Sequence, residues 1–375
     1  MANPKLYLPS GLTEEMIRDL VRSLELPNPS TIEPLRTLAA YHTIYIIEFS
    51  PDVSRKVKSA KPSNADGCVS LVLRVSGRHL PRMKTLNEVA AMSWVKSNTK
   101  VPIPAVIAFD ATEDNAIGYE FTLLEKAQGV SVDTIYDSLD DAKKEFIVNQ
   151  LTGYLIDIHH HDWNHAWGLS IDHKGKVIPG RVMAETFWQA PEIEEYWSPD
   201  ETVDSLNPKG PYDTYTSYVK GHIGQYIQNI LKHDSLRWMR DLIPRLESFN
   251  SIDLHFGNVM CDPLTAQITA ILDWEFSAVL PLPLWSPGGG FLWNGQETPE
   301  GMTEQKRLYN VFESLCAERG PDLLKDFATT APHGAIKTVF NYVRAIVEVC
   351  PRRQKGAMVG DWRKIVEASL SELSV

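Results

Sequence analysis

The strongest constraint on the fold is a change in hydrophobic pattern near residue 126 of the 375-residue chain. Before this point, runs of β-branched and aromatic residues predict short strands, as in YHTIYIIEF (residues 41–49) and VSLVLRV (residues 69–75). After it, apolar residues recur at helical spacing over long segments, the first of them residues 142–160. The pattern predicts an α+β protein with a small, mostly antiparallel β-rich lobe at residues 1–126 and a larger, mostly helical lobe at residues 127–375.

The first lobe is predicted to contain two helices as well as its strands. Residues 12–26 place apolar side chains at helical spacing, and Thr13 precedes them as a candidate N-cap. Residues 85–98 predict a second helix, which is inserted between the strands. Two further strands follow, PAVIAFD and GYEFTLLE, separated by an acidic turn. After its opening helix, the lobe is therefore predicted to run β, β, α, β, β.

The composition excludes several functions. The net charge of −11, from 48 acidic and 37 basic residues, argues against general nucleic-acid binding, which requires a basic face. The longest weakly charged run, residues 270–290, is interrupted by two acidic residues and is no membrane span. Four widely spaced cysteines without a CxxC pair favour a reducing setting, and no secretory signal is predicted. We therefore expect a cytoplasmic protein that binds neither nucleic acid nor membrane.

Three polar residues lie in a stretch that otherwise has the character of protein core. Asp253, Asn258 and Asp273 occur in SIDLHFGNVMCDPLTAQITAILDWEF (residues 251–276), which predicts two short strands around a turn. Carboxylate and amide groups are costly to bury unless they bind a partner. An Asp, an Asn five residues later and an Asp after a further strand match the spacing with which kinases orient an acceptor hydroxyl and hold Mg²⁺. Together they indicate phosphoryl transfer from a nucleotide, although each alone is more often a cap or turn residue.

The sequence is similar to the aminoglycoside phosphotransferase and choline-kinase-like branch of the protein-kinase-like superfamily. The family pattern H-x-D-L-H-x-x-N, followed by D-W-E, is matched by DLHFGN and ILDWEF. The resemblance implies a bilobal protein-kinase-like fold that binds ATP and Mg²⁺, with residues 1–126 as the nucleotide-binding lobe and residues 127–375 as the catalytic and substrate lobe. It also implies that Asp253 is the catalytic base and that Asn258 and Asp273 are magnesium ligands. The implied reaction is phosphoryl transfer to a small-molecule hydroxyl.

The small lobe offers the remaining parts of a nucleotide site. A kinase-like site needs a cation on a central strand for the phosphates and a carboxylate on the next helix to hold that cation. Arg74 lies in mid-strand, and Glu88 follows 14 residues later on the predicted helix. Family members commonly carry Lys at this strand position, and Arg keeps the charge but is bulkier; the alternative is a surface Arg on an edge strand. The resemblance further implies that the backbone from Glu125 to Ala127 contacts the adenine edge.

Two departures from the family pattern leave a second function open. The segment that would cover the phosphates, residues 35–46, contains no glycine, and only Ala39 and Ala40 provide small side chains. Ser251 stands where the pattern has its leading histidine. The alternative is therefore a kinase-like scaffold without catalysis, such as a nucleotide sensor or an interaction module, or a scaffold reused for another group transfer.

Two further segments have both a ligand-binding and a structural interpretation. Residues 183–208 contain seven acidic residues and no Lys or Arg, which suits a cationic acceptor but equally a solvated loop. Trp188 and Trp197 in this segment could stack on a ring or cation, or anchor the loop. A histidine run at residues 159–161 could bind a transition metal or cap a helix. The expected acceptor is a small molecule, cationic or polyhydroxylated, whose identity stays open.

Overall fold

A computed structural model describes most of the chain, namely residues 7–35, 39–54, 57, 67–161, 163, 166–246, 259–279, 298–327 and 331–373. Three residues of the predicted catalytic loop, Ser251, Asp253 and Asn258, lie outside these described residues. The other predicted site residues, Arg74, Glu88, Glu125, Ala127 and Asp273, lie within them.

Five antiparallel strands form the sheet of the N-terminal part: β1 Thr31–Leu35, β2 His42–Phe49, β3 Val69–Ser76, β4 Val106–Asp110 and β5 Phe121–Glu125. Their order in the sheet is β1-β2-β3-β5-β4, which makes β3 the central strand. Three helices accompany the sheet: α1 Glu14–Ser23, α2 Pro51–Ser54 and α3 Met83–Asn98. Both predicted helices and all four predicted strands of this part are confirmed, and α3 begins two residues earlier than predicted.

The opening helix α1 shows why the local sequence folds as it does. The Thr13 hydroxyl oxygen accepts a hydrogen bond from the amide of Met16 (3.2 Å), which satisfies one of the amides left without a partner in the first turn. On the opposite face, Ile17, Leu20 and Val21 are buried in the core shared with β2, β3 and β5. The helix therefore covers one face of the sheet.

β1 is the one strand of this sheet that the sequence pattern did not predict. It contains Pro34, and four of its five residues are exposed. Proline lacks an amide donor and is found mainly on edge strands, where β1 lies. Because an exposed edge strand has no apolar alternation, periodicity could not detect it.

Helices make up most of the remaining chain, as predicted. They are α4 Val132–Ile135, α5 Asp141–His159, α6 Ala190–Tyr196, α7 Val203–Leu206, α8 Tyr215–Lys232, α9 Ile243–Leu246, α10 Pro299–Arg319, α11 Pro321–Phe327, α12 Ala331–Val349 and α13 Gly356–Glu372, with 3-10 helices at Tyr136–Ser138 and Asp234–Leu242. One apolar core is formed mainly by α8, α12 and α13, and a second by α5 and α10. Within the described ranges, no helix is long and apolar enough to cross a membrane.

Six short strands are embedded among these helices: β6 Val130–Ser131, β7 Trp167–Ile171, β8 Val177–Gly180, β9 Val259–Cys261, β10 Ile268–Ile271 and β11 Ala278–Val279. They form two three-stranded sheets, ordered β10-β9-β6 and β11-β7-β8. The β9–β10 pair is the predicted pair of strands around a turn, whereas the β7–β8 hairpin was not predicted. The predicted α+β architecture is confirmed.

Gly129 joins the N-terminal sheet to β6 at a point where no side chain fits. Its φ is +87°, a left-handed conformation that glycine adopts without steric cost. A Cβ atom built at this position would lie 2.2 Å from the carbonyl oxygen of Cys261 in β9. The chain therefore passes directly against the β9–β10 hairpin as it leaves β5.

A buried histidine in the largest helical core makes stability depend on pH. The His222 side chain is almost fully buried and stacks on the Tyr218 ring, and its Nδ1 donates to the Tyr218 carbonyl oxygen (2.9 Å). Burial lowers the pKa of His222 to about 4, from 6.5 for the ordinary group. The unfolded chain therefore binds this proton more tightly than the folded protein.

We expect the free energy of unfolding to fall as the pH drops from about 6.5 towards about 4, with a contribution from His222 of roughly 2–3 kcal/mol. Above pH 6.5 the residue contributes no pH dependence, because it is neutral in both states. Urea unfolding at pH 7 and pH 4.5 should show a smaller difference for His222→Gln than for the wild type. The exposed His173→Gln variant is the control; an unchanged difference in His222→Gln would contradict the prediction.

Candidate active site

The hairpin of β9 and β10 positions the segment that carries Asp273. Asp262 holds its turn, because the Oδ1 atom accepts hydrogen bonds from the amides of Thr265 (2.8 Å) and Leu264 (3.0 Å). These bonds to its charged form lower the pKa of Asp262. The turn is thus held by local hydrogen bonds, and Gln150 of α5 adds bonds to Ala266 and Ile268.

The open end of the hairpin lies close in sequence to the two predicted magnesium ligands. Val259, which directly follows Asn258 in the chain, pairs with Ile271. Asp273 lies two residues after Ile271, and β11 then pairs with β7. The segment between β10 and β11 is therefore fixed at both ends by strand pairing.

Asp273 combines an unusual backbone conformation with an unusual charge environment. Its φ is +69°, in the left-handed region that only a few per cent of non-glycine residues adopt. Its side chain is 41% exposed, and Oδ1 lies 3.7 Å from Arg74 Nη2. Burial among protein atoms, followed by the nearby Glu275 carboxylate, raises the pKa of Asp273 to about 7, although Arg74 acts in the opposite direction. Such strained and electrostatically perturbed residues are enriched at functional sites.

Arg74 and Glu88 form a buried ion pair between β3 and α3. Arg74 Nη1 lies 2.6 Å from Glu88 Oε1, and the Glu88 side chain is only 1% exposed. Burial lowers the pKa of Arg74, but the carboxylates of Glu88, Glu275 and Asp273 outweigh it and raise the pKa above its ordinary value. The guanidinium therefore stays charged. The structure brings Arg74, Glu88 and Asp273 together, and Arg74 lies on the central strand, not on an edge.

The segment predicted to meet an adenine edge begins at the end of β5. The amide of Glu125 donates to the Ala105 carbonyl oxygen (2.8 Å), so this donor is already used inside the protein. Ala127 lies two residues further on and is half-buried. Its amide makes no hydrogen bond to another residue in the described part of the chain, which leaves it available to a ligand.

Sequence reasoning did not find two polar residues that share this site. Lys84 on α3 and His42 on β2 both contact Glu275, which follows Asp273 by two residues. A signal for Lys84 was present, because Lys84 and Glu88 are four residues apart and thus lie on one face of α3. His42 had no such signal, because its approach to Arg74 depends on the β2–β3 register, in which His42 pairs with Ser76.

The family comparison shows to which protein family the chain belongs. The sequence model of the phosphotransferase enzyme family (APH) matches residues 48–282, more than half of the chain. The chain belongs to this phosphotransferase family. The phosphotransferase family predicted from DLHFGN and ILDWEF is thereby confirmed. The described residues also contain the predicted antiparallel N-terminal sheet and mostly helical C-terminal part.

Named relatives of this chain are distant. Two subtelomeric hrmA-associated cluster proteins, from two strains of Aspergillus fumigatus, are each 23% identical over 306 residues, which covers 61% of this chain and 59% of the relative. The chain thus spans about three fifths of the length of the curated relatives it matches.

Similar solved structures include the GDP complex of aminoglycoside 2'-phosphotransferase-IIIa, which is 13% identical with a TM-score of 0.46 and covers 96% of this chain and 98% of that one. Another is a thermostable aminoglycoside phosphotransferase APH(4)-Ia in a complex with ADP and hygromycin B, 15% identical with a TM-score of 0.47, covering 94% and 96%. The family assignment depends on the family model and not on these two similarities.

The segment predicted to cover the phosphates, residues 35–46, runs from the end of β1 through the connection into β2. Tyr41, at the end of the connection, is attached to the acidic segment 183–208. The Tyr41 hydroxyl donates to Glu185 Oε1 (3.1 Å), and its ring lies edge-on against His79 and Phe276. The connection therefore contacts the residue directly after Glu275 as well as the acidic segment.

Most carboxylates of the acidic segment have partners elsewhere in the chain. The pairs are Glu192 with Arg352, Glu201 with Lys232, Asp204 with Arg181, Glu185 with Tyr41 and Glu195 with Tyr7. Trp188 and Trp197 are buried in a small core with Ile193, and the Arg352 guanidinium lies 4.2 Å from the Trp188 ring centre. The tryptophans thus anchor the segment, and three of its seven carboxylates are neutralised by basic side chains.

The histidine run at residues 159–161 lies at the end of α5. His161 Nε2 is 3.0 Å from the carbonyl oxygen of Asn98, and its ring lies edge-on to Trp94. Among the described residues, no group of three or more His, Cys, Asp or Glu side chains is arranged to hold a metal ion. These contacts give His161 a structural role between α5 and the end of α3.

Proposed function

We propose that this phosphotransferase transfers the γ-phosphoryl group of ATP to a hydroxyl of a small molecule, with Mg²⁺ bound by Asp273 and Asn258. The observation that carries the proposal is the approach of Asp273 to the Arg74–Glu88 ion pair. The Arg74 guanidinium lies 3.7 Å from the Asp273 carboxylate and 2.6 Å from the Glu88 carboxylate. A nucleotide kinase requires this combination of a phosphate-binding cation, a carboxylate that holds it and a metal-binding Asp.

The residues at the site fit a divalent cation. Three carboxylates, those of Glu88, Asp273 and Glu275, converge on two basic side chains, those of Arg74 and Lys84. With all five ionised, one negative charge is left over, and the pKa of Asp273 is raised by burial first and by the Glu275 carboxylate second. Mg²⁺ prefers oxygen ligands and usually binds one or two protein groups together with substrate phosphates. A half-exposed carboxylate in a negative environment suits that mode.

The chain's own residues would take distinct parts in the reaction. Arg74 would hold phosphate oxygens, with Glu88 fixing its guanidinium, and the Ala127 amide would donate to the adenine edge. Asp253 would orient the acceptor hydroxyl and take its proton. Bound Mg²⁺ would supply charge neutralisation of the phosphate oxygens. Val259, the residue after Asn258 in the sequence, pairs with Ile271, which lies two residues before Asp273. Because adjacent Cα atoms are about 3.8 Å apart, this pairing supports a shared site for Asn258 and Asp273.

We propose a small cationic or polyhydroxylated acceptor and a cytoplasmic location, both from the sequence. The internal pairing of the acidic segment weakens the specific argument for a cationic acceptor, since five of its seven carboxylates already have partners. The competing function is a nucleotide-binding scaffold without catalysis, which is favoured by the glycine-free connection and by Ser251.

Thermal denaturation with ATP, with and without Mg²⁺, tests the proposal. We expect Mg²⁺–ATP to raise the midpoint by a few degrees, because a ligand that binds only the folded state stabilises it. Asp253→Ala should keep this shift and lose about 10²-fold in phosphoryl transfer to acceptors found by screening small alcohols with labelled ATP. We expect the lower end of general-base effects, because the transition state of phosphoryl transfer is loose.

The wild-type result distinguishes the two candidate functions. A Mg²⁺-dependent shift without transfer to any screened hydroxyl would favour the scaffold. No shift at millimolar nucleotide would contradict nucleotide binding altogether. Asp262→Asn, in the exposed turn of the same hairpin, provides the control for Asp253→Ala.

A further inference from the structure

Glu275 is a buried carboxylate on which three elements converge. Its Oε2 atom lies 3.1 Å from Lys84 Nζ, 3.2 Å from His42 Nδ1 and 3.5 Å from Arg74 Nη2. These residues belong to α3, β2 and β3, so one oxygen atom links the helix and two strands of the N-terminal sheet. A buried carboxylate is tolerated only when hydrogen bonds and opposite charge compensate its loss of hydration.

The geometry also assigns the hydrogens in this cluster. Lys84 Nζ lies 2.8 Å from His42 Nε2 and has only donors, so Nε2 must accept. The remaining proton of the neutral imidazole is then on Nδ1, which lies 3.1 Å from Arg74 Nη2 and 3.2 Å from Glu275 Oε2; of these two atoms only the carboxylate oxygen can accept it. Lys84 Nζ also donates to Ser76 Oγ at 2.8 Å. All three ammonium hydrogens of Lys84 thus have acceptors, although the residue is almost fully buried.

Asn87, three residues after Lys84, holds the backbone of the same segment. Its Nδ2 donates to the carbonyl oxygens of Glu275 (3.2 Å) and Ser277 (2.9 Å). Its Oδ1 accepts from the amide of Leu169 in β7 (2.8 Å). One face of α3 therefore holds the segment after Asp273 through a side chain, by way of Lys84, and through the main chain, by way of Asn87.

Lys84 also determines how Arg74 is shared. Arg74 has carboxylates at 2.6 Å (Glu88), 3.5 Å (Glu275) and 3.7 Å (Asp273). Without Lys84, Arg74 would be the one basic side chain within ion-pair distance of Glu275 in the described part of the chain. The guanidinium would then be drawn towards Glu275 and away from Glu88 and Asp273, because Coulomb attraction in a buried site is strong.

We infer that Lys84 is a positioning residue, which neutralises Glu275 so that Arg74 and Asp273 keep the arrangement needed for Mg²⁺ and phosphate, and that Asn87 fixes the same segment through its backbone. The inference rests on the proposed function and extends it to residues that do not contact the substrate. It makes the Mg²⁺ dependence of nucleotide binding a property of α3 as well as of the metal ligands.

The test measures ADP affinity by calorimetry with and without Mg²⁺. The quantity compared is the dissociation constant without Mg²⁺ divided by the dissociation constant with Mg²⁺. We expect Lys84→Met to reduce this ratio about tenfold, a typical coupling between contacting buried charges. Lys84→Met/Glu275→Gln removes the uncompensated charge and should restore the ratio to within about threefold of the wild type. Lys96→Met, an exposed lysine on the same helix, should leave the ratio unchanged.

Each outcome has a defined meaning. A wild-type ratio near one overturns the proposed function and this inference with it. A normal wild-type ratio that persists in Lys84→Met overturns the inference alone. Where Lys84→Met does not fold, two other variants test the inference. Asn87→Ala is expected to lower the ratio, and Lys84→Met/Glu275→Gln is expected to have a ratio near that of the wild type. A Lys84→Met/Glu275→Gln protein that folds but has lost the Mg²⁺ dependence overturns the inference.

Discussion

Asp273→Asn is expected to abolish the Mg²⁺ dependence of nucleotide binding and to reduce phosphoryl transfer by about 10³-fold, because a metal ion contributes several kilocalories per mole to the stabilisation of transition-state charge. The amide keeps the shape of the side chain and removes its charge. Nucleotide titration with and without Mg²⁺, followed by a transfer assay with labelled ATP, measures both effects.

The same substitution should leave the fold intact. Burial and Glu275 raise the pKa of Asp273 to about 7, which means that the site disfavours an uncompensated carboxylate. A neutral amide is therefore tolerated at least as well in the metal-free protein. Asp262→Asn is the matched control, and it should retain the Mg²⁺ dependence, because the amide oxygen can still accept the hydrogen bonds of its turn. A large loss of stability in Asp273→Asn would instead indicate a structural carboxylate.

Arg74→Met is expected to lower the free energy of unfolding by about 3–5 kcal/mol, the usual cost of leaving a buried charge without its partner. Glu88 is 1% exposed and would lose its ion pair at 2.6 Å, and Glu275 would lose one of its two basic neighbours. Urea unfolding at constant ionic strength measures the change through the midpoint and slope of the transition.

Two further variants distinguish the effect of losing a buried ion pair from the effect of losing an exposed charge. Arg22→Met removes the exposed Arg22–Asp19 pair on α1 and should cost less than about 1 kcal/mol. Arg74→Met/Glu88→Leu removes both charges and should recover part of the stability without recovering nucleotide affinity. Equal losses for Arg74→Met and Arg22→Met would show that the Arg74–Glu88 pair is not a buried charge pair in solution.

Sequence reasoning predicted the elements whose residues alternate or repeat. The buried strands β2, β3 and β5, the long helices and the Arg74–Glu88 contact all follow from local pattern and short separation along the chain. β1 escaped because an exposed strand containing Pro34 has no apolar period. The site could be predicted only as far as its motif reached.

Contacts that depend on long-range packing could not be predicted. Lys84 and Glu275 are separated by 191 residues, and their contact requires α3 to lie against the segment between β10 and β11. Composition likewise suggested an acidic surface at residues 183–208, whereas Glu192 is buried against Arg352, which lies 160 residues away. Counting charges along a sequence cannot reveal which of them are neutralised in the fold.

Gly129 fixes the close approach of two segments that the proposed reaction uses. It follows the segment proposed to hold adenine and touches Cys261, at the end of the hairpin that leads to Asp273. A methyl group at this position would force the two segments apart, because its carbon would lie 2.2 Å from the Cys261 carbonyl oxygen. The distance between the segment proposed to hold adenine and the β9–β10 hairpin is thus set by the main chain, at a position with room for a hydrogen atom alone.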